Sequence, residues 1–344
     1  MQEYVEKILI IRLPRTFGDV DAIEFLNALD RERFSNELVY HFSDIVFVFP
    51  FGTLLIAEKI RELSANRRAK LLSNRIGDAN SIREADRGAL GYLKFFGFFT
   101  YIGVPLGSDY NRPIRRSNYT PINTITIKAL TYDLGKEHWT ESIIARCEQI
   151  ASIVSANKQV SIELAYCIRE IVRNVFEHSE SDRCTVMAQL YSSTNIVEIS
   201  IVDCGIGIVN SLRAELGNGK SDAEILERAL LPGISSKHDH EVIKGWKNSG
   251  FGLYILSELG KQYGEFAIVS GGIYLKYYDG NRKSLIDDVA YSGTAIKLRL
   301  SLRDVDYFPN QLEGIVRRGE DYTEELFGKR IKASSISRKS GSHV

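Results

Sequence analysis

Long apolar runs are missing from this 344-residue chain. The longest, Phe47–Ala57 and Phe95–Pro105, fall well short of the ~18 residues that a membrane span needs, and they read as buried core elements. Net charge is missing too, because 44 Lys and Arg balance 44 Asp and Glu. That balance excludes a global electrostatic drive toward nucleic acid or an acidic membrane and leaves room only for a local basic patch. Cysteine is scarce: Cys147, Cys167, Cys184 and Cys204 form no CxxC pair. Neither a zinc knuckle nor a thioredoxin-type site is signalled, and the wide spacing fits reduced core thiols. The N-terminus, MQEYVEKILIIRLP, has a short apolar run preceded by acidic residues and reads as a poor signal peptide. A cytoplasmic protein without membrane contact is expected. His238 and His240 flank Asp239 with no companion ligands, so that stretch reads as a solvated loop rather than a metal site. Internal repeats are absent.

What is present suggests about two domains of ordinary globular composition, 44% apolar and 26% charged. The first half alternates strand and helix signals, which favours an α/β layer. Ile8–Leu13 reads as a strand, Asp21–Asp30 as a helix, and Leu38–Phe49 as strand-like with a break at Ser43 and Asp44. Helices are expected over Phe51–Leu63 and Asp86–Phe99. Gly107–Pro121 is rich in Gly, Pro, Asn, Ser and Arg and reads as a linker, followed by a connecting helix over Glu141–Ser155. A second domain begins near Asn157. Regular patterning fades after Asp304, and the final ASSISRKSGSHV has a disordered composition. The expected divisions are therefore 1–106, a linker and helix over 107–156, 157–304, and an extension over 305–344.

Four short motifs carry the chemistry. In SIELAYCIREIVRNVFEHSE, Ser161 suits an N-cap, and Ile162, Ala165, Ile168, Val172, Val175 and Phe176 form a helical apolar stripe. Glu170, Asn174 and His178 recur every four residues and share one helix face. A carboxylate there can take a proton, and an amide oxygen suits Mg²⁺. In IVEISIVDCGIGI, Ile196–Val202 is a strand closed by Asp203, with Gly205 and Gly207 following. An aspartate so placed can accept from an exocyclic amine. In NSGFGLYILSEL, Asn248, Gly250 and Gly252 open a helix whose unpaired N–H groups suit phosphate. In SGTAIKLRLSL, Thr294 enters a strand that turns Ile296, Leu298 and Leu300 to one face. Each motif alone also has an ordinary reading: a solvated helix face, a strand and turn, a helix start, a strand start.

Together, in this order, the four resemble the N, G1, G2 and G3 boxes of the GHKL superfamily, over roughly Asn157–Leu302. That superfamily includes gyrase, heat-shock chaperone and mismatch-repair ATPases, sensor histidine kinases and anti-sigma-factor kinases. The ExxxNxxxH pattern of Glu170–His178 is most similar to the bacterial anti-sigma-factor kinases. The resemblance implies a Bergerat-type α/β sandwich, a mixed sheet covered by helices, that binds Mg-ATP. It implies Asp203 on the adenine amine, Asn174 on Mg²⁺ and Glu170 as general base. It further implies room for nucleotide at Gly205 and Gly207, and phosphates wrapped by Asn248, Gly250 and Gly252. Thr294 would support adenine through water. Gly217–Lys247 would be the ATP lid, with a short helix over Ala223–Leu231 and with Ser236 and Lys237 reaching the phosphates. His178 more readily makes a structural hydrogen bond than a nucleotide contact.

Glu177 stands where histidine kinases often carry lysine, and the 141–155 helix holds no histidine; His138, in KEHWTE, does not match a phospho-accepting box. Ala214–Ser221 (AELGNGKS) nearly spells a P-loop but lacks its first glycine and a preceding strand. The stretch LVYHFSDIVFVFPFGTLLIAEKIREL resembles a STAS domain, with Pro50 and Phe51 at the usual serine positions and Thr53 a poor substitute. That resemblance implies a regulatory or interaction domain over Met1–Val104. The function implied is an ATP-dependent regulator, an ATPase or Ser/Thr kinase. It would work through protein partners, STAS or other regulatory proteins among them, with a homodimer allowed. The alternatives are a sensor histidine kinase, a dimerising gyrase- or chaperone-type ATPase completed by a partner subunit, and a nucleotide-binding scaffold without turnover.

Overall fold

The computed structural model of the chain describes residues 8–35, 37–69, 73–112, 118–128, 139–154, 157–217, 219–235, 250–303 and 308–333. The chain is a mixed α/β protein that divides into two compact units. The first is Met1–Pro113 with Pro121–Asn123 and Asp288–Ala290; the second is Ile114–Thr120, Thr124–Asp287 and Tyr291–Val344. Among the described residues no helix is long and apolar enough to cross a membrane.

In the first unit, β1 (Ile8–Arg12), β2 (Thr16–Phe17), α1 (Asp19–Arg31), β3 (Glu37–His41), β4 (Phe47–Val48), α2 (Pro50–Ala69) and β5 (Ser73–Ile76) follow in turn. The strands β1, β3 and β5 pair in parallel, with Ile10 opposite Val39 and Tyr40 opposite Ile76. Parallel neighbours need helical crossovers, which α1 and α2 supply. The helices α3 (Ala79–Glu84), α4 (Gly88–Phe96) and α5 (Phe98–Tyr101) complete the unit. The helix expected over Asp86–Phe99 is thus two, broken at Gly97, whose φ of 81° lies in the left-handed region. Phe42, Phe98 and Phe99 meet edge to face in the core, with Phe42 centroids 5.8 and 5.1 Å from the other two. Thr53 is fully buried and its hydroxyl donates to the Phe49 carbonyl at 2.7 Å, so it presents no accessible phospho-acceptor.

The larger sheet and its helices comprise β6 (Tyr119–Thr126), α6 (Trp139–Val154), α7 (Lys158–His178), β7 (Arg183–Tyr191), β8 (Ile196–Val202), α8 (Gly207–Leu216) and α9 (Asp222–Ala229). These are followed by α10 (Gly252–Tyr263), β9 (Gly264–Ser270), β10 (Ile273–Tyr278), β11 (Arg282–Ile286), β12 (Thr294–Ser301) and α11 (Phe308–Phe327). Its seven strands run in the order β11-β10-β9-β12-β8-β7-β6, with antiparallel neighbours from β11 to β7. Alternate residues of the central strands, Val197, Ile199, Ile201, Ile296, Leu298 and Leu300, join one core with Ile168, Val172 and Ile255 of the helices. The opposite face carries ion pairs: Arg299 to Glu198 at 3.1 Å, and Lys297 and Lys276 to Glu265 at 3.0 and 2.9 Å. Burial raises the Glu265 carboxyl, but the two lysines more than reverse this and draw it down to about 2.

Four expectations change. The layer starts upstream of Asn157, because β6 and α6 belong to it; Ile143, Cys147, Ile150 and Ala151 of α6 are core residues, so this helix is no mere connector. The α7 helix begins before Ser161, and Asn157 caps it, its side-chain oxygen accepting from Val160 N at 3.3 Å. Patterning does not fade after Asp304: Leu312, Ile315 and Val316 of α11 lie in the same core, at helical spacing that charged neighbours and two glycines obscure. Cys147, Cys167 and Cys184 are buried free thiols, but Cys204 is exposed, because it sits in the turn after β8.

Candidate functional site

At one end of the sheet, β8, β12 and β9 finish or begin side by side. Ala295 pairs with Val202 and Thr294 with Ser270, so Asp203, Thr294 and Ser270 emerge together. The Asp203 N–H donates to the Thr294 carbonyl at 2.8 Å, and Tyr291 Oη donates to the Asp203 carbonyl at 2.6 Å. The Asp203 side chain is buried and its Oδ1 accepts from Gly205 N at 2.7 Å, an Asx-type turn that aims the chain toward α8. Ile208 N in the first turn of α8 donates to Ser270 Oγ at 2.7 Å, and Ser270 Oγ lies 3.4 Å from Thr294 Oγ1.

The end of α7 closes over this turn. Ile206 N donates to the Ser179 carbonyl at 2.8 Å. A Cβ on Gly205 would stand 2.0 Å from that carbonyl oxygen, so Gly205 is required by the approach of the turn to α7. The need for glycine here arises inside the protein, and Gly205 does not line the cleft. Gly207 does line it, at a φ of 77°.

The cleft has two continuous parts. The first has an empty volume of about 320 Å³ and is walled by Ile171, Val175, Ile201, Ile208 and Ile296, with Asn174, Ser179, Asp203, Ser211 and Thr294 as polar groups. Its apolar walls and few convergent polar atoms suit a flat ring carrying a donor for Asp203. The second, about 440 Å³, shares Asn174, Ile208 and Ser211 with the first and adds Ser235, Gly250, Gly252 and Leu253. It opens onto the N-terminus of α10. The N-cap of that helix, Phe251, makes no side-chain cap, and its first turn holds no acidic residue, so its N–H groups and positive dipole end suit an anion. The two parts are joined at Asn174, whose amide oxygen could serve as a ligand to Mg²⁺.

Glu170 is placed differently. It is 1% exposed and lines neither part of the cleft. Its carboxylate pairs with Arg173 at 3.0 Å and Arg169 at 3.5 Å. Gly252 presses on it from α10: a Cβ there would be 2.9 Å from Glu170 Oε2 and 3.7 Å from Asn174 Nδ2. Gly252 therefore lets the N-terminal end of α10 reach both α7 residues.

The structure thus brings Asn174, Asp203, Gly207, Thr294, Gly250 and Gly252 to one cleft. Ser236, Lys237 and Asn248, and the side chain of His178, lie outside the described residues, as do His138, His238, Asp239 and His240. Within the first half of the expected Gly217–Lys247 lid, the short helix expected over Ala223–Leu231 is present. It is α9, with a Ser221–Glu224 capping box and with Ile225, Leu226 and Ala229 in the core, while 236–249 fall outside the described residues. Ser221, the last residue of the near P-loop, is spent on that cap. Sequence reasoning missed Ser179 and Ser235, which sit in irregular segments, Ser211, which lies within α8, and Ser270, which becomes a neighbour of Thr294 only through strand register. Burial above all, with the charges of Cys147 and Asp203 adding, pushes the Cys184 thiol well above its usual range and keeps it inert. Among the described residues no cluster of His, Cys, Asp and Glu could hold a metal by itself, so Mg²⁺ at Asn174 would take its other oxygens from ligand and water. Comparison with known proteins finds no matching family model and no matching curated protein.

Proposed function

We propose that the second unit binds Mg-ATP and that the chain is an ATP-dependent regulator of the GHKL type, an ATPase or Ser/Thr kinase that works through a protein partner. The observation that carries this reading is the gathering of Asn174, Asp203, Gly207 and Thr294 around one apolar pocket, continuous with the uncapped α10 N-terminus at Gly250 and Gly252. Adenine would occupy the pocket with its amine on Asp203. The phosphates would lie toward α10, and Mg²⁺ would sit on Asn174 between them. The first unit would serve as the STAS-like regulatory partner of this site.

A histidine-kinase reading is disfavoured by α6, which contains no histidine and is committed to the core through Ile143, Cys147 and Ile150. A scaffold without turnover gains weight from Glu170, whose ion pairs with Arg173 and Arg169 already give it a structural task. The metal assignment is tested by titrating ATP with and without Mg²⁺. Wild type should bind more tightly with the metal, and Asn174→Ala should lose most of that enhancement while keeping its metal-free affinity. Equal enhancement in both proteins would remove Asn174 as the ligand.

A further inference from the structure

The first unit contains a cavity of its own. It opens between α2, the strands β3 and β5, and the turn at Ile102–Val104, with an empty volume of about 590 Å³. Its polar lining is Tyr40, Ser64, Arg68, Asn74 and Arg75, and no carboxylate is among the lining residues. The α2 helix contributes Ile60, Ser64 and Arg68 at intervals of four, hence from one face. Tyr40 lines it from β3, and Asn74, Arg75 and Ile76 line it from β5, the edge strand of the three-stranded sheet.

Two side chains are left with work to do. Tyr40 is 2% exposed, and its hydroxyl has no hydrogen-bond partner among the described residues. A buried hydroxyl so placed costs about 1–3 kcal/mol unless something in the cavity meets it. Burial pushes the phenol up, so it is a neutral donor at physiological pH. Arg68 forms no ion pair or hydrogen bond among the described residues. By contrast, Asn74 is committed: its oxygen accepts from buried Arg67 at 2.6 Å and its nitrogen donates to Ser64 at 3.3 Å, which holds Ser64 in position. Arg75 stands at the rim, paired through Nε with Glu37 at 2.8 Å. Ile60, Ile76 and Val104 supply apolar wall.

We infer that this cavity is a binding site for a small organic anion, a phosphate or carboxylate on an apolar body, held by Arg68 and the Tyr40 hydroxyl. The site is separate from the ATP cleft and stands whether or not that cleft binds nucleotide.

The test uses the full chain titrated with phenyl phosphate, benzoate and inorganic phosphate, followed by ligand-observed NMR and by thermal shift. Phenyl phosphate or benzoate should bind, whichever is tighter naming the headgroup, and inorganic phosphate should bind more weakly than phenyl phosphate. Arg68→Gln, at an exposed position, should weaken binding about tenfold or more. Tyr40→Phe should weaken it several-fold while leaving the melting temperature unchanged or raised, because it removes an unmet buried hydroxyl. No binding of either aromatic anion, inorganic phosphate binding as tightly as phenyl phosphate, or wild-type affinity in both variants would overturn the inference. Binding abolished by Asp203→Ala instead would assign the anion to the second unit and overturn it as well.

Discussion

Asp203→Ala should weaken ATP binding about ten- to hundredfold, the cost of deleting a charged acceptor opposite a buried amine. The side chain does two jobs in the structure. Its Oδ1 holds Gly205 N at 2.7 Å, and the residue lines the apolar pocket between α7 and β12. Asp203→Asn separates the two, because the amide oxygen can keep the Gly205 bond while the charge is lost. Both variants should fold, since Asp203 N and the Asp203 carbonyl keep their backbone bonds to Thr294 and Tyr291. Calorimetry should find Asn no tighter than Ala, because an amide whose oxygen stays on Gly205 N turns its NH₂ donor toward the adenine amine. Unchanged affinity in a folded Ala variant would take Asp203 out of the site.

The second large effect is expected at Glu170, read through turnover rather than binding. As general base it would be worth about 10²–10⁴-fold in rate. Its burial decides which variant to make. Glu170→Ala would break the buried ion pair with Arg173, itself 5% exposed, and breaking such a pair costs about 3–5 kcal/mol. Glu170→Gln keeps volume and an acceptor for Arg173. With γ-labelled ATP, presented with and without candidate partner proteins, Glu170→Gln should bind nucleotide like wild type and lose nearly all turnover. Label on protein identifies a kinase, and free phosphate alone an ATPase. A Gln variant that turns over at the wild-type rate would leave Glu170 as the anchor of Arg173 and Arg169 and nothing more.

Much of the second unit was legible because its elements keep clean periods. Ile196–Val202 has the same bounds in sequence and structure, and Thr294 opens β12 where the alternation of Ile296, Leu298 and Leu300 begins. The strand β6 was hidden because Pro121 and Asn123 look like breakers, yet it finds a place at the end of the sheet order, where a proline is tolerable. The α11 helix was hidden by Gly314 and Gly319; Gly319 is there for packing, since a Cβ would come within 2.5 Å of Tyr254. The burial of Glu170 could not be read from its own helix. Spacing put it in line with Asn174, but its exposure is set by Gly252, 82 residues on, and by which way Arg173 turns. Likewise the alignment of Ser270 with Thr294 exists only in the register of β9 on β12.

The cleft between α7, α8 and α10 is proposed as an adenine-nucleotide site. The most direct measurement is calorimetric titration of the full chain with a non-hydrolysable ATP analogue and with the matching GTP analogue, each with and without Mg²⁺. Binding of the ATP analogue, strengthened by Mg²⁺ and clearly preferred over the GTP analogue, is the result expected. The preference follows because guanine presents a carbonyl where Asp203 needs an amine. No binding of the ATP analogue, or equal affinity for both nucleotides, would contradict it.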